Sequence, residues 1–522
     1  MTTFDFVVVG AGPAGCVLAN RLSANPAVSV LLVEAGDRDD NPLIAVPRGF
    51  AELLGDPATV WHYPTRPFGP ARRVEHWVRG RTLGGSSAVN GLVYNRGQRA
   101  DWDGVEGLGN PGWGWDQMLP AFTAVENNGL RVSTAGGGDP LLEDVLAAGD
   151  DLGWRPVRDL NGTDEERIGY TTATIHDGRR VSAATAFLHP VLDRPNLTVA
   201  LRTVVDRVLI ERDRAVGIEG RSVEGGSFRA RADREVILSA GSIATPKILQ
   251  LSGIGPADTL RTAGIDAVVD SPNVGARMRE HLTFMLQYRL TDDLGYNASL
   301  GTDAGRQRAE AQYRATRSGP LALPSFDIVG FFKTRPDLNR PDAQFQLAPW
   351  SMRPLEPGGA VQIEPEPGMT CVAFVLRPDS EGCIRVTSPD PDAPLDIDPN
   401  YLATAHDRET AIGVFRGMRR LIATAPLKGR IDSETVPGDG VQGDDEIIDA
   451  ALTTGGCGYH AIGTCAMGPN DHDVVDARLQ VRGVANLRVV DASVLPVMVS
   501  GNLNAPVTAL AWRAADLILA NT

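Results

Sequence analysis

The residues with the clearest capacity for chemistry lie at opposite ends of the chain. Near the amino end, Gly10-Ala11-Gly12-Pro13-Ala14-Gly15 is followed by Glu34-Ala35-Gly36, and near the carboxyl end His460 closes the run Gly455-Gly456-Cys457-Gly458-Tyr459-His460. Spaced glycines let backbone N–H groups approach a pyrophosphate, and an acid about twenty residues further on accepts hydrogen bonds from a ribose. An imidazole titrates near ~6.5, so His460 has the chemistry to take a hydroxyl proton around neutral pH. The residues alone leave open whether it is a base or a structural histidine in a loop. Reading Cys457, His460 and Cys465 as metal ligands fails on ligand number, since structural zinc takes four and no second close pair presents itself.

The elements that must position these groups follow from the apolar pattern. Phe4 to Val9 reads as a buried parallel strand, the glycines break it, and Cys16 to Leu22 continues with helical spacing. A second apolar run, Val28 to Val33, ends in Glu34. Strand, glycine turn, helix, strand and acid make a dinucleotide-binding unit, with the helix N-terminus facing the phosphates. The motif does not separate NAD from FAD, although its place at the extreme amino end favours FAD. Glu235 to Ala240 reads as another buried strand and Ala244 to Leu251 as a helix with Pro246 in its first turn; Pro506 to Asn521 has helical spacing with Pro506 at the first position.

Composition bounds the rest. The 522 residues are 43% hydrophobic and carry a net charge of −15, which argues against nucleic-acid or anionic-membrane partners. No apolar run reaches the roughly 20 residues of a membrane span. The start, Met1-Thr2-Thr3-Phe4-Asp5, lacks a basic leader and runs into the first strand, so a cytoplasmic protein is expected. The 5 cysteines have no framework spacing and read as reduced thiols. No Gly-x-Ser-x-Gly elbow occurs, which sets a serine hydrolase aside. Residues 135–195 and 282–454 differ from the remainder, with alternating strands such as Phe326 to Phe332 and Met369 to Leu376, and an amphipathic helix around Leu402 to Ala425. The expected fold class is α/β, α+β overall. A discontinuous Rossmann-like domain (1–134, 196–281 and 455–522) carries an inserted substrate domain (135–195 and 282–454) built on an antiparallel sheet plus helices. Phe326, Phe331, Phe332, Phe345 and Trp350 are candidate pocket walls or plain core. The proline-rich stretch Ala45 to Pro70, containing Trp61, is a candidate lid or cofactor-side loop.

Several blocks together resemble one family. They are Gly80-Arg81-Thr82-Leu83-Gly84-Gly85-Ser86-Ser87-Ala88-Val89-Asn90-Gly91, Gly241 to Gly255, Tyr459 to Gly468, Val490 to Pro496, and Gly501-Asn502-Leu503-Asn504-Ala505-Pro506. In this order, end to end, the chain resembles the glucose–methanol–choline (GMC) oxidoreductases. The resemblance implies FAD and an alcohol substrate. It places Gly10, Gly12, Ala14, Gly15, Glu34 and Ala35 at the dinucleotide, and Val205 and Ala240 near its adenine and middle. Trp61, Leu83, Gly84, Ser87, Asn90, Leu92 and Val93 fall on the ring side, and Asp491, Ala492, Pro506 and Val507 on the carboxyl-end side. His460 falls on the family's catalytic histidine, Asn504 on its second polar residue, and His281 on a recurrent position with a fold-supporting role. Some members attach flavin covalently to a histidine where this chain has Val89, so non-covalent FAD is expected. Glu381, after Arg377-Pro378-Asp379-Ser380, replaces a common arginine, a departure expected to be structural. Gly458 suggests a roomy site. Few charges flank these blocks, which points to a neutral primary alcohol of aromatic, furanic or pyridine type. Oxygen is the expected acceptor, with a quinone or redox protein as the alternative, and a hydroxynitrile-type lyase is the rival on the same scaffold.

Overall fold

The structure, a computed structural model, describes residues 2–134, 136–353 and 361–520. Ala135, one expected domain boundary, and Asn521, the expected end of the last helix, lie outside the described residues. The first strand, Thr2–Val9, is central to a seven-stranded sheet. Phe6, Val7, Val8 and Val9 are all buried, as a strand covered on both faces requires. It pairs in parallel with Val30–Val33 and with Ser227–Leu238; Leu197–Ala200 extends one edge, and Thr203–Glu211 and Arg214–Ser222 form an antiparallel pair on the other. The short strand Leu487–Val489 brings the carboxyl end back to this sheet, beside Val236 to Leu238. Helix Pro13–Leu22 crosses it, and helix Asn504–Leu519 packs on that helix.

A second, eight-stranded sheet is mostly antiparallel: Ile431–Val436, Leu282–Leu290, Gly368–Val375, Ala343–Ala348, Ile328–Phe332, Arg167–Tyr170 and Arg155–Pro156 in order, with Gly456–Cys457 paired to Leu282–Leu290. The two-residue period of a strand divides its side chains. Leu282, Phe284, Phe332, Phe345, Leu347, Cys371 and Ala373 turn to one face and form a core with helices Pro140–Asp151, Ala405–Ala423 and Asp444–Thr454. Phe332 and Phe345 therefore pack on Trp154, with ring centroids 4.5 and 5.6 Å away, and are core residues. Gln344, Gln346 and Phe374 project from the opposite face, as does Phe331, which packs with Phe374.

Two proline expectations need adjusting. Pro246 is the sixth residue of helix Gly241–Leu251 rather than in its first turn. The carbonyl of Ser242, which an N–H at 246 would have engaged, instead accepts from Thr464 Oγ1 at 2.8 Å, so the interior proline costs less than it otherwise would. Pro506 is the third residue of its helix, still within the turn where N–H groups lack intrahelical partners. No helix among the described residues is long and apolar enough to cross a membrane.

The proline-rich stretch is tied down from inside. Arg48, in the short helix Pro47–Gly49, ion-pairs with Asp327 just before strand Ile328–Phe332; their side chains are 4% and 2% exposed. Burial pushes the Asp327 carboxyl up to about 6 against the pull of Arg48. Removing one partner of such a pair strands the other charge. Asp327→Ala should lower the unfolding free energy by about 3–5 kcal/mol in a denaturant titration, and a loss under about 1 kcal/mol would show that Arg48 needs no counter-charge.

Candidate active site

Close backbone approach defines the amino-end half of the site. A Cβ on Gly15 would stand 1.8 Å from the Gly10 carbonyl oxygen, and one on Gly10 would stand 2.6 Å from that of Ser239. Gly12 differs: nothing lies within 4 Å of its bare face. It opens helix Pro13–Leu22 with no side-chain cap, so the first-turn amides beside Ala14 are presented to whatever fills that space. Gly84 N donates to the Ala11 carbonyl at 2.8 Å, which brings the block after Leu83 onto the same cradle. Glu34 accepts from Ala11 N and Gly36 N, both at 2.8 Å, with Ala35 between; burial raises its carboxyl. Each carboxylate oxygen keeps a lone pair for a hydroxyl.

The cradle continues toward the carboxyl-end blocks. Gly10 abuts Ala240, which caps helix Gly241–Leu251. Gly241 N donates to Asp491 Oδ2 at 2.9 Å, and Asp491 caps the turn Ala492–Val494. Val205 lies in strand Thr203–Glu211 where the pairing register slips. Pro506 and Val507 sit in the first turn of a helix that also starts without a side-chain cap. On the other side, Ser87 Oγ bridges the Gly84 carbonyl (2.6 Å) and Ala183 N (2.9 Å), Asn90 Oδ1 accepts from Leu92 N at 3.1 Å, and Val93 bridges to Ala173. Trp61 lies under the Arg81 guanidinium at 4.2 Å. Arg180, invisible as a candidate in the sequence, is buried and bonds the carbonyls of Ile44, Pro47 and Asn90, with burial pulling it down to about 9. Open space over Gly12, two uncapped helix starts and a carboxylate with spare lone pairs fit a dinucleotide such as FAD.

The His460 end of the site is assembled by strand pairing. Leu282 and Thr283 pair with Cys457 and Gly456, which sets His281 beside His460. Both backbone N–H groups donate to one oxygen, Glu280 Oε1, at 2.9 and 2.6 Å. Glu280 Oε2 takes Cys457 Sγ at 3.2 Å and Arg79 at 3.3 Å; burial raises its carboxyl while Arg79 pulls it down. Tyr459 between them has a left-handed backbone, φ +63°, a conformation that costs a non-glycine residue about 1–2 kcal/mol. His460 Nδ1 lies 2.9 Å from His281 Nδ1, and His281 Nε2 lies 2.9 Å from the Leu376 carbonyl oxygen. Phe374 stacks on His281 at 4.5 Å. His460 Nε2 meets Asn502 Nδ2 at 3.2 Å, and Asn502 Oδ1 accepts from Asn95, Gln344 and Gln346 at 2.9, 3.0 and 3.0 Å.

Residues 4–283 match the amino-terminal and residues 378–511 the carboxyl-terminal family model of GMC oxidoreductases. The chain belongs to the GMC oxidoreductase family. It is 37% identical over 532 residues to an alcohol dehydrogenase (acceptor) of Pseudomonas putida, covering 99% of this chain and 96% of that one. It is 38% identical over 541 residues to the mitochondrial choline dehydrogenase of Mus musculus, covering 99% and 89%. The solved structure of pyridoxine 4-oxidase from Mesorbium loti matches with a TM-score of 0.86 at 30% identity over 98% of both chains. The protein is an FAD-dependent oxidoreductase acting on CH–OH groups.

Against the GMC pattern, the geometry corrects two expectations. The side chain at His460 is Asn502, not Asn504. Asn504 opens the last helix, its carbonyl accepting from Thr508 Oγ1 at 2.7 Å. Both asparagines sit in one short block, and spacing alone does not say which faces inward. Nor does Gly458 enlarge a pocket: a Cβ there would meet His281 Cβ at 2.9 Å and His460 Nδ1 at 3.1 Å. Cys457 and His460 spend their side chains on Glu280 and His281, so they do not converge as metal ligands with Cys465. Glu381 pairs with Arg279 at 3.0 Å, in keeping with a structural departure. Asn95, Gln344, Gln346 and Glu280 carried no signal in the sequence, because polar residues at such spacing read as surface.

Burial pushes both imidazoles down: His281 to about 4, against the pull of the Leu376 carbonyl and with the help of Arg377, and His460 well below 6.5, helped by His281 and Arg79. A histidine with a depressed value stays unprotonated at lower pH than a free one, so any acid limb set by this pair moves down from 6.5. At pH 6.5, where a free imidazole is half protonated, kcat/KM for an alcohol should keep its neutral-pH value. A limb already falling at or above that pH would contradict the geometry.

Proposed function

We propose that the protein oxidises a neutral primary alcohol of aromatic, furanic or pyridine type to its aldehyde, with His460 as the general base and Asn502, in place of Asn504, as the orienting group. The observation that carries this is the meeting of His460 Nε2 and Asn502 Nδ2 at 3.2 Å, beneath a sheet face that is otherwise buried. An alcohol oxygen within reach of both would take the amide's hydrogen bond in place of Nε2 and give its proton to Nε2. FAD supplies the hydride acceptor at N5 when bound. The protein's own part is to orient the carbon-bound hydrogen, exclude water and hold the proton on His460; such placement is worth roughly 7–11 kcal/mol in favourable cases.

We assign FAD binding to the cradle of Gly10, Gly12, Gly15 and Glu34, the Leu83 to Val93 segment, and the Ala240, Asp491 and Pro506 turns. Val89 is buried among Ile44, Leu53 and Val60 and has no ring nitrogen to offer, which supports non-covalent attachment. Acid precipitation should leave all the flavin in solution. The groups converging on Asn502 are carboxamides, and the cations that act on the histidine pair, Arg79 and Arg377, disfavour a cationic substrate. We assign oxygen as the acceptor, in line with the oxidase activity named for the pyridoxine 4-oxidase neighbour. Hydrogen peroxide release in air measures it, and dye reduction without peroxide would make the protein a dehydrogenase.

With flavin still bound, His460→Ala should cut kcat/KM for a good alcohol by about 10²–10⁴-fold. Asn502→Ala should cost more than Asn504→Ala. A fall of less than about tenfold for His460→Ala would remove the base from this reading. Faster turnover of choline than of any aryl alcohol would remove the neutral substrate.

A further inference from the structure

A neutral imidazole has two tautomers, and only the one with a lone pair on Nε2 can take a proton at the Asn502 side of His460. The hydrogen bonds around the pair decide which is present. The Leu376 carbonyl can only accept, so His281 Nε2 carries a proton and donates to it across 2.9 Å. Burial keeps His281 neutral, with its ordinary value lowered to about 4. Its Nδ1 is then a lone pair. The atom 2.9 Å away, His460 Nδ1, must be the N–H, and His460 Nε2 is left unprotonated. The opposite tautomers would set a ring lone pair against the Leu376 oxygen, leaving a buried acceptor without its donor.

The other end of the chain agrees independently. Three carboxamide nitrogens, from Asn95, Gln344 and Gln346, converge on one atom of Asn502, which is therefore its oxygen. Asn502 then turns its N–H₂ toward His460, and an N–H₂ group needs a lone pair to meet, not another N–H. The close approach of the rings depends on Gly458. Its N–H donates to the His281 carbonyl at 2.7 Å, and a Cβ in its place would press on both histidines.

We propose that His281 is a positioning residue of the reaction: braced by the Leu376 carbonyl and by the bare backbone of Gly458, it holds His460 in the tautomer whose Nε2 keeps the lone pair that takes the substrate proton once the alcohol replaces the Asn502 amide there. This rests on reading His460 as the base, and its decisive test does not need turnover. In nitrogen-15 correlation spectra of the histidine-labelled, flavin-loaded protein, His460 should show a protonated, pyrrole-type Nδ1 and a pyridine-type Nε2. His281 should show the reverse. A protonated Nε2 on His460 in the resting protein would overturn the inference whether or not any alcohol is oxidised. Variants supply the second arm. His281→Leu offers no acceptor to Nδ1 and should lower kcat by about 10²–10⁴-fold, the range for losing a general base, with KM little changed and full flavin occupancy. His281→Gln can accept from His460 through its oxygen and donate to Leu376 through its nitrogen, so it should recover most of that loss. Gly458→Ala should follow the leucine variant. Equal activity of the leucine and glutamine variants, both with full flavin, would overturn the inference. Should the leucine variant fail to hold flavin, the spectra of the unaltered protein decide alone.

Discussion

One carboxylate oxygen, Glu280 Oε1, takes the backbone N–H groups of His281 and His460 at once. The two segments are 180 residues apart in sequence, and this shared acceptor fixes where they meet more tightly than strand pairing alone. A buried carboxylate is costly unless its lone pairs are used. Here they are: two amides on one oxygen, a thiol and a guanidinium on the other. Were Glu280 to lose these partners it would destabilise the meeting of these two segments, and the placement of both histidines hangs from that meeting. The left-handed backbone of Tyr459 is tolerated for the same reason, because the residues on either side are held by Gly458 N and His460 N.

The division of labour between the sheets follows from their periodicity. The parallel strands Thr2–Val9 and Val30–Val33 are buried where they end and run into Gly10 and Glu34, which suits backbone recognition of a flexible dinucleotide. The antiparallel sheet spends one face on helices and keeps the other for Gln344, Gln346 and Phe374. A strand offers fixed side-chain directions at a two-residue repeat, so two glutamines two apart reach the same atom of Asn502. Precision of this kind is harder to obtain from a loop. On the proposed reading, turns recognise the phosphates and strands brace Asn502, the group that orients the reacting oxygen.

How much of this was legible in the sequence depended on whether the signal was local. Thr2–Val9, the glycines after it and Glu34 announce themselves because strand, turn and helix follow one another within forty residues, and the observed elements fall where the apolar pattern puts them. His460 was visible by its glycine-rich setting and its resemblance to the family. Asn502 was not separable from Asn504, since the choice depends on where helix Asn504–Leu519 begins, and helix starts are set by tertiary contacts as much as by local residues. Phe332 and Phe345 read equally as pocket walls or core while the second sheet had no orientation; knowing which face meets the helices makes them core. Gly458 is the sharpest case. A missing side chain next to a base reads as space for substrate, and instead another ring fills it, brought there from residue 281.

The buried histidine pair also explains why so few free charges face the proposed base, His460. Each imidazole is held neutral mainly by burial, and a free carboxylate facing either ring would stabilise its protonated form and take it out of service as a base. Glu280 avoids this by turning its oxygens to backbone amides, Cys457 and Arg79, so that its charge is spent before it reaches the rings. Carboxamides do the orienting instead: they donate and accept without titrating. The same composition that keeps His460 unprotonated leaves little to attract a cation, so the neutral substrate and the ready base proposed for this site would both follow from one choice of residues.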